Sequence, residues 1–183
     1  MKQMNPASMF PMIEVSEGVG ICGLVATCKH LARSAKKLLG NGALETAQID
    51  QWINWALTNL IPTSEQVMRG VFGHKETPVY QAAWNEAAKE LKAQVKLVNN
   101  QLTGKWLVGN QMTLADVFVA LALALPFQTV LDGGFRKAMD KTAKWVESVY
   151  NLPEVKSVQG KVQLCQKALK PACASDPVVE KKE

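Results

Sequence analysis

A chain of 183 residues, 48% hydrophobic and 20% charged, has the makeup of an ordinary globular protein, long enough to bury a sizeable core in one domain or one domain with a small appendage. Its net charge of +5 rests on eighteen lysines and three arginines. Lysine is a hydrated point charge rather than a bidentate fork, which favours solubility or loose phosphate attraction over base-specific readout.

In chain order, residues 12–15 and 19–22 are short apolar segments on either side of Ser16-Glu17-Gly18, which predicts a β-hairpin. A helix over residues 23–39 follows, ended by Gly40-Asn41-Gly42, because glycine accepts the left-handed conformation at a helix C-terminus. Beyond residue 42 the period is helical. Ile49, Trp52, Ile53, Ala56, Leu57 and Leu60 form one face, with Pro62 ending or kinking that helix. Tyr80, Trp84, Ala87, Leu91, Val95, Val98 and Leu102 recur at three- and four-residue intervals, the mark of a long amphipathic helix.

Thr113 opens the next helix with a capping box: it can cap the Asp116 amide while the Asp116 carboxylate returns to the Thr113 amide, and Met112 can staple Val117. Residues 117–127 are apolar all round, so other helices should surround this one. The run is shorter than the roughly 20 residues a bilayer demands and is interrupted by Asp116 and Pro126, so no membrane span is expected. Gly133-Gly134 breaks the chain. Phe135, Ala138, Met139, Trp145, Val146 and Val149 make a further face, and Val155, Val158, Val162, Cys165 and Leu169 a last stripe after Pro153, a favourable first-turn residue. From Pro171 on there is too little apolar surface to pack, which reads as a flexible tail or linker.

Catalytic chemistry finds little support. There is no glycine-rich nucleotide fingerprint. His30 and His74 have no second ligand at a metal-binding interval. Residues 1–13 hold no continuous apolar region, so a secretory signal is not expected. Cys22, Cys28, Cys165 and Cys173 follow no paired spacing, which suits buried thiols in a reducing cytoplasm. Cys28 and His30, two residues apart on a helix, point to different faces. Trp52, Trp55, Trp84, Trp106 and Trp145 sit where core packing explains them. Lys137, Lys141 and Lys144 share a helical face, but Asp132, Asp140 and Glu147 are close by, so a solvated surface is favoured over a basic patch. No catalytic, cofactor-binding or metal-binding residue is assigned.

Leu107-Val108-Gly109 followed by Met112-Thr113-Leu114-Ala115-Asp116-Val117 resembles the motif that starts the central helix of the glutathione-transferase C-terminal domain. Phe10-Pro11-Met12-Ile13 resembles the loop before the third strand of the transferase N-terminal domain, where the family has a cis-proline. Within that superfamily, Phe135-Arg136-Lys137-Ala138, Lys144-Trp145 and the stretch from Val158 to Lys167 are similar to the elongation factor one gamma subunit. Glu14-Val15-Ser16-Glu17, Lys29-His30-Leu31-Ala32-Arg33 and Gln48-Ile49-Asp50-Gln51-Trp52 are similar to the N-terminal domain of glutamyl- and glutamyl-prolyl-tRNA synthetases. The small auxiliary protein of the multi-synthetase complex is a third relative. The resemblance implies a mainly α fold: an N-terminal extension at 1–9, a truncated thioredoxin-like strand-strand-helix module at 10–42, an all-helical transferase-like bundle at 43–170 and a tail at 171–183.

The departures from that family bear on catalysis. No segment before Phe10 supplies the residue that activates the glutathione thiol, and the positions for the acidic and serine anchors of its glutamyl part are Gly23 and Leu24. The resemblance therefore implies a non-enzymatic scaffold of the translation machinery, appended to a glutamate-type tRNA ligase or standing among elongation-factor subunits. Its partners would be other domains of the same fold or a second copy, with weak nonspecific tRNA contact at most. Two surfaces are carried over by position: Val25, Lys29 and Leu31 on the first module, and Lys144 beside Trp145 in the bundle, where lysine replaces the family's arginine. The competing readings are an active transferase or peroxidase using Cys22 or Cys28, and an auxiliary tRNA-binding domain.

Overall fold

The computed structural model describes residues 5, 8–73 and 79–174; His74 lies outside them. The expected hairpin is present. β1 (Met12–Ser16) pairs antiparallel with β2 (Val19–Cys22), Met12 opposite Cys22 and Ile13 opposite Ile21. Gly18 turns the chain at φ 73°, a left-handed value that a side chain would strain. The Phe10–Pro11 peptide is cis, and the Pro11 carbonyl accepts from the Gly23 amide at 2.9 Å, tying the start of β1 to the start of α1 (Leu24–Ala35).

α1 stops short of the expected residue 39. Lys36 itself takes the left-handed conformation at φ 51°, and the amides of Lys36 and Lys37 close on the carbonyls of Arg33 and Ala32. A lysine thus terminates the helix before the glycines are reached. α2 (Gly42–Trp55) then runs through one π-helical turn, Ala56–Leu60, into α3 (Ile61–Phe72). Pro62 therefore does not end this helix. It lacks an amide and its ring would crowd the carbonyl four residues back, and the widened turn absorbs both defects. The apolar periodicity up to Leu60 did not announce α3.

α4 (Gln81–Gln101) is the expected long helix. The central helix begins at Thr113, as expected, but divides into α5 (Leu114–Ala122) and α6 (Ala124–Thr129). Pro126 offers no amide to the Ala122 carbonyl, so the chain yields at Leu123. Gly133-Gly134, expected as a break, instead forms the first turn of α7 (Gly133–Ala138), because the Asp132 carboxylate caps it by accepting from the Phe135 amide at 2.9 Å. Met139 separates α7 from α8 (Asp140–Tyr150), so Lys137 does not share a continuous helix with Lys141 and Lys144.

The last expected stripe is the largest departure. α9 spans only Pro153–Gln159 and ends at Gly160, whose φ is 72°. Residues 160–174 run as an irregular strap across the bundle. The Cys165 and Leu169 amides donate to the carbonyls of Phe127 and Thr129 at 3.0 and 2.8 Å, and the Ala172 amide donates to that of Gly70 at 2.7 Å. Arg136 fastens the strap by donating to the carbonyls of Leu131 and Cys165. Carbonyls at the ends of α6 and α3, which no helical amide reaches, are satisfied in this way. The tail expected from Pro171 is therefore docked as far as Ala174, whose amide donates to the Val79 carbonyl at 3.0 Å.

The main core gathers Leu60, Val67, Leu91, Val95, Val98, Val119, Leu123, Phe127, Val146 and Val149. A second cluster of Ala32, Ile49, Ile53, Val108, Leu114, Ala115 and Phe118 joins α1 and α2 to α5. The small strand module is thus docked to the bundle through α5, which has apolar contacts on both sides as its all-round hydrophobicity requires.

Tyr150 closes the bundle by donating its hydroxyl to the Ala120 carbonyl at 2.7 Å. Burial pushes its phenol well above the ordinary value, whereas in the unfolded chain it ionises near pH 10. The folded state then holds a proton that the unfolded state releases. Its contribution is whole below about pH 10 and declines as the pH rises beyond that. Tyr150→Phe should cost about 1 kcal/mol at neutral pH by removing the hydrogen bond, yet lose less than the parent between pH 8 and about pH 11. Urea unfolding at the two pH values measures both, and an equal alkaline decline would refute the burial argument.

Candidate functional site

The element that positions everything else is the Asp116 carboxylate, wholly buried in the first turn of α5. Both arms of the Thr113–Asp116 capping box form, with the Thr113 amide 2.8 Å and its hydroxyl 3.1 Å from Oδ2. Oδ1 accepts from the Leu107 amide and from the Trp145 indole N–H, each at 2.9 Å. One side chain therefore binds its own helix start, the loop after α4 and the middle of α8. It has no lone pair left for a substrate, so the part foreseen for Asp116 as a structural residue is filled and extended.

The five residues expected at partner surfaces separate sharply. Leu31 is 52% exposed on α1, with Leu24 (44%) two turns earlier on the same face. Val25 instead packs against the second core cluster. The Lys29 ammonium lies 2.7 Å from the Asp50 carboxylate of α2 and locks the two elements together. Lys144 pairs with Asp140 at 2.8 Å on an exposed face, a contact of little energetic weight. Trp145, placed at an interface by resemblance, is corrected: it is 4% exposed, and its one polar atom is spent on Asp116.

Sequence reasoning missed the surface of α2. Trp52 and Trp55, expected in the core, are half-buried and meet edge to face with ring centroids 5.4 Å apart. With Gln48, Gln51, Leu97 and Gln101 they line an open groove of about 390 Å³ that carries no charged side chain among the described residues. Leu44, 73% exposed, lies one turn before Gln48 on the same stripe of α2. The signal was present in the spacing of Leu44, Gln48, Gln51 and Trp55, one helical stripe in which two glutamines conceal the apolar period.

Two of the thiols, those of Cys28 and Cys165, do not resemble activated nucleophiles. Burial pushes the Cys28 thiol up. It also raises that of Cys165, against the partly offsetting pull of Arg136, whereas a reactive cysteine needs its thiolate favoured at neutral pH. Gly23 and Leu24 open α1 without an acidic or hydroxyl side chain. Among the described residues no group of histidine, cysteine and carboxylate side chains could hold a metal ion, and no helix is long and apolar enough to cross a membrane.

Comparison with known proteins agrees with this geometry. The chain is 34% identical over 164 residues to the elongation factor 1-gamma of Artemia salina, covering 89% of this chain and 37% of that protein. It is 33% identical over 138 residues to the valine–tRNA ligase of Takifugu rubripes, covering 75% of this chain and 11% of the ligase. It thus spans little more than a third of the first relative and about a ninth of the second. Among solved structures, the GST-like domain of elongation factor 1-gamma from Saccharomyces cerevisiae superposes with a TM-score of 0.81 at 18% identity, over 93% of this chain and 81% of that one. The family model of the glutathione S-transferase C-terminal domain matches residues 53–153. That stretch is more than half of the chain and takes in α3 to α8 together with the buried cap that organises them, and the chain belongs to the glutathione S-transferase C-terminal domain family.

Proposed function

We propose that this chain is a non-catalytic interaction module that assembles translation components in the cytoplasm by pairing with another domain of its own fold, or with a second copy of itself. Two relatives whose names place them in translation, an elongation factor 1-gamma and a valine–tRNA ligase, support the setting. The observation that carries the pairing is the apolar face of α1, where Leu24 and Leu31 stand exposed two turns apart on one side of the helix. Phe10, 77% exposed, lies on the same small module. Leu44 and the tryptophan groove lie on another side of α2 from Asp50, the residue that meets α1, and form a separate apolar surface. Exposed apolar side chains gathered on one helix face, as on α1, mark association sites. Lys29 acts here by holding α1 against α2, and Val25 by seating α1 on the core. Lys144 offers at most a weak second contact, with Trp145 as its internal support.

The test mixes the purified chain with purified GST-like domains of elongation-factor and tRNA-ligase partners and follows complex formation, and self-association, by light scattering after gel filtration. A Leu24→Glu/Leu31→Glu double variant is expected to weaken the complex at least 100-fold, since each change buries a charge against apolar surface. Lys144→Glu should weaken it no more than about threefold. An unaltered complex in the double variant would remove α1 from the interface. Retention of the parent chain on immobilised glutathione, with release by free glutathione, would replace the scaffold with a transferase.

A further inference from the structure

We propose that the groove between α4 and the strap is a docking site for an acidic peptide segment that carries an apolar anchor residue. The groove, about 380 Å³, has one wall from α4, including Trp84, Ala88, Lys89 and Lys92, and the other from Ala168 and Leu169 of the strap. Its floor is aliphatic, made by Leu91, Val130 and Leu131. Leu169 is half-exposed at the rim although its amide is anchored to the Thr129 carbonyl. An apolar residue is thus held in place and still presented outward.

Charge selects the occupant. Among the described residues the charged side chains lining the groove are Lys89 and Lys92, both exposed, and no carboxylate lines it. Lys167 and Lys170 flank the strap wall in sequence and are also exposed. The nearby acids leave the rim cationic. Asp132, next to the floor residue Leu131, caps α7. Glu86 lies 3.9 Å from Lys89 with both side chains largely in solvent, too loose a contact to neutralise it. An aliphatic floor under a cationic rim suits a segment in which carboxylates alternate with a leucine-like side chain.

The same cations would attract a nucleic acid, but the groove lacks what base recognition needs. Its aromatic ring, Trp84, is packed on Gly70 and donates its indole N–H to the Val67 carbonyl at 3.0 Å, so it offers no free platform for stacking. No arginine lines the groove. This surface lies on the α4–strap side, away from the α1–α2 face proposed for domain pairing, and stands independently of that reading.

The experiment uses fluorescence anisotropy of a short fluorescein-labelled peptide alternating leucine with aspartate and glutamate, titrated with the purified chain, and a labelled oligouridine in parallel. Saturable peptide binding is expected, weakened about tenfold or more by Lys89→Glu/Lys92→Glu and by Leu169→Ser, and by added salt. Leu24→Glu/Leu31→Glu should leave it unchanged. Circular dichroism confirms that each variant is folded, and if Leu169→Ser is not, the lysine reversals alone decide. Absence of peptide binding, binding indifferent to the lysine reversals, or tighter binding of oligouridine than of the peptide would each overturn the proposal.

Discussion

Asp116→Ala is expected to lower the stability of this chain by about 4 kcal/mol, a large share of the 5–15 kcal/mol typical of a folded domain. The change removes the acceptor of four donors at once, the amides of Leu107 and Thr113, the Thr113 hydroxyl and the indole N–H of Trp145. Each buried donor left without a partner costs roughly 1–3 kcal/mol. The conservative Asp116→Asn should lose nearly as much. Whichever way its amide is turned, the NH₂ group would face donors where an oxygen now accepts. Trp145→Phe keeps most of the packing and leaves one acceptor lone pair idle, so a loss of about 1–2 kcal/mol is expected. Because the two residues share one hydrogen bond, the double variant should lose less than the sum of the singles. Denaturant unfolding of the parent and the four variants gives all the terms. An Asp116→Ala chain within about 1 kcal/mol of the parent would show that the carboxylate is not the joint described above.

Gly70→Ala should be the next most damaging single change, at about 3 kcal/mol, although it adds only one methyl group. Gly70 lies buried on α3 where α4 crosses it. A Cβ there would stand 2.0 Å from Cδ1 and 2.7 Å from Nε1 of Trp84, well inside van der Waals contact. The indole cannot step aside cheaply, because its N–H is bonded to the Val67 carbonyl at 3.0 Å. The Gly70 carbonyl also receives the strap through the Ala172 amide, so a shift in α3 would be felt at the docked C-terminal segment. In a Trp84→Ala background Gly70→Ala should cost much less, since the truncation removes the Cδ1 and Nε1 atoms that the new methyl group meets. A neutral Gly70→Ala would mean that α3 and α4 separate without penalty. Intrinsic helix propensity alone would have made the change favourable by up to about 1 kcal/mol, so the sign of the effect distinguishes packing from propensity.

Much of the fold was legible in the residues because the relevant forces are local. The hairpin follows from two apolar segments around Ser16-Glu17-Gly18, α4 from an unbroken three-four period, and the start of α5 from a threonine and an aspartate three residues apart. The candidate site was legible only in part. Leu31, expected at a partner surface by position, is exposed, but the exposure of Leu24, the Leu44 stripe and the tryptophan groove were not foreseen. Glutamines and half-buried tryptophans give the same pattern on a surface as beside a core.

By itself the sequence determined which segments hold regular structure and where a buried carboxylate would cap a helix, since both depend on groups within a turn of one another. Where helices stop was decided in three dimensions. Lys36 ends α1 and the residues after Gly160 leave the helix, in the second case for amide-to-carbonyl bonds offered by α6 and α3, segments distant in the chain. Tertiary structure also decided that Asp116 holds Trp145 inside, that Lys29 is engaged by Asp50, and that Leu24 and Leu31 are left uncovered. Burial is a property of what a neighbouring element covers, and no local spacing records which element that will be.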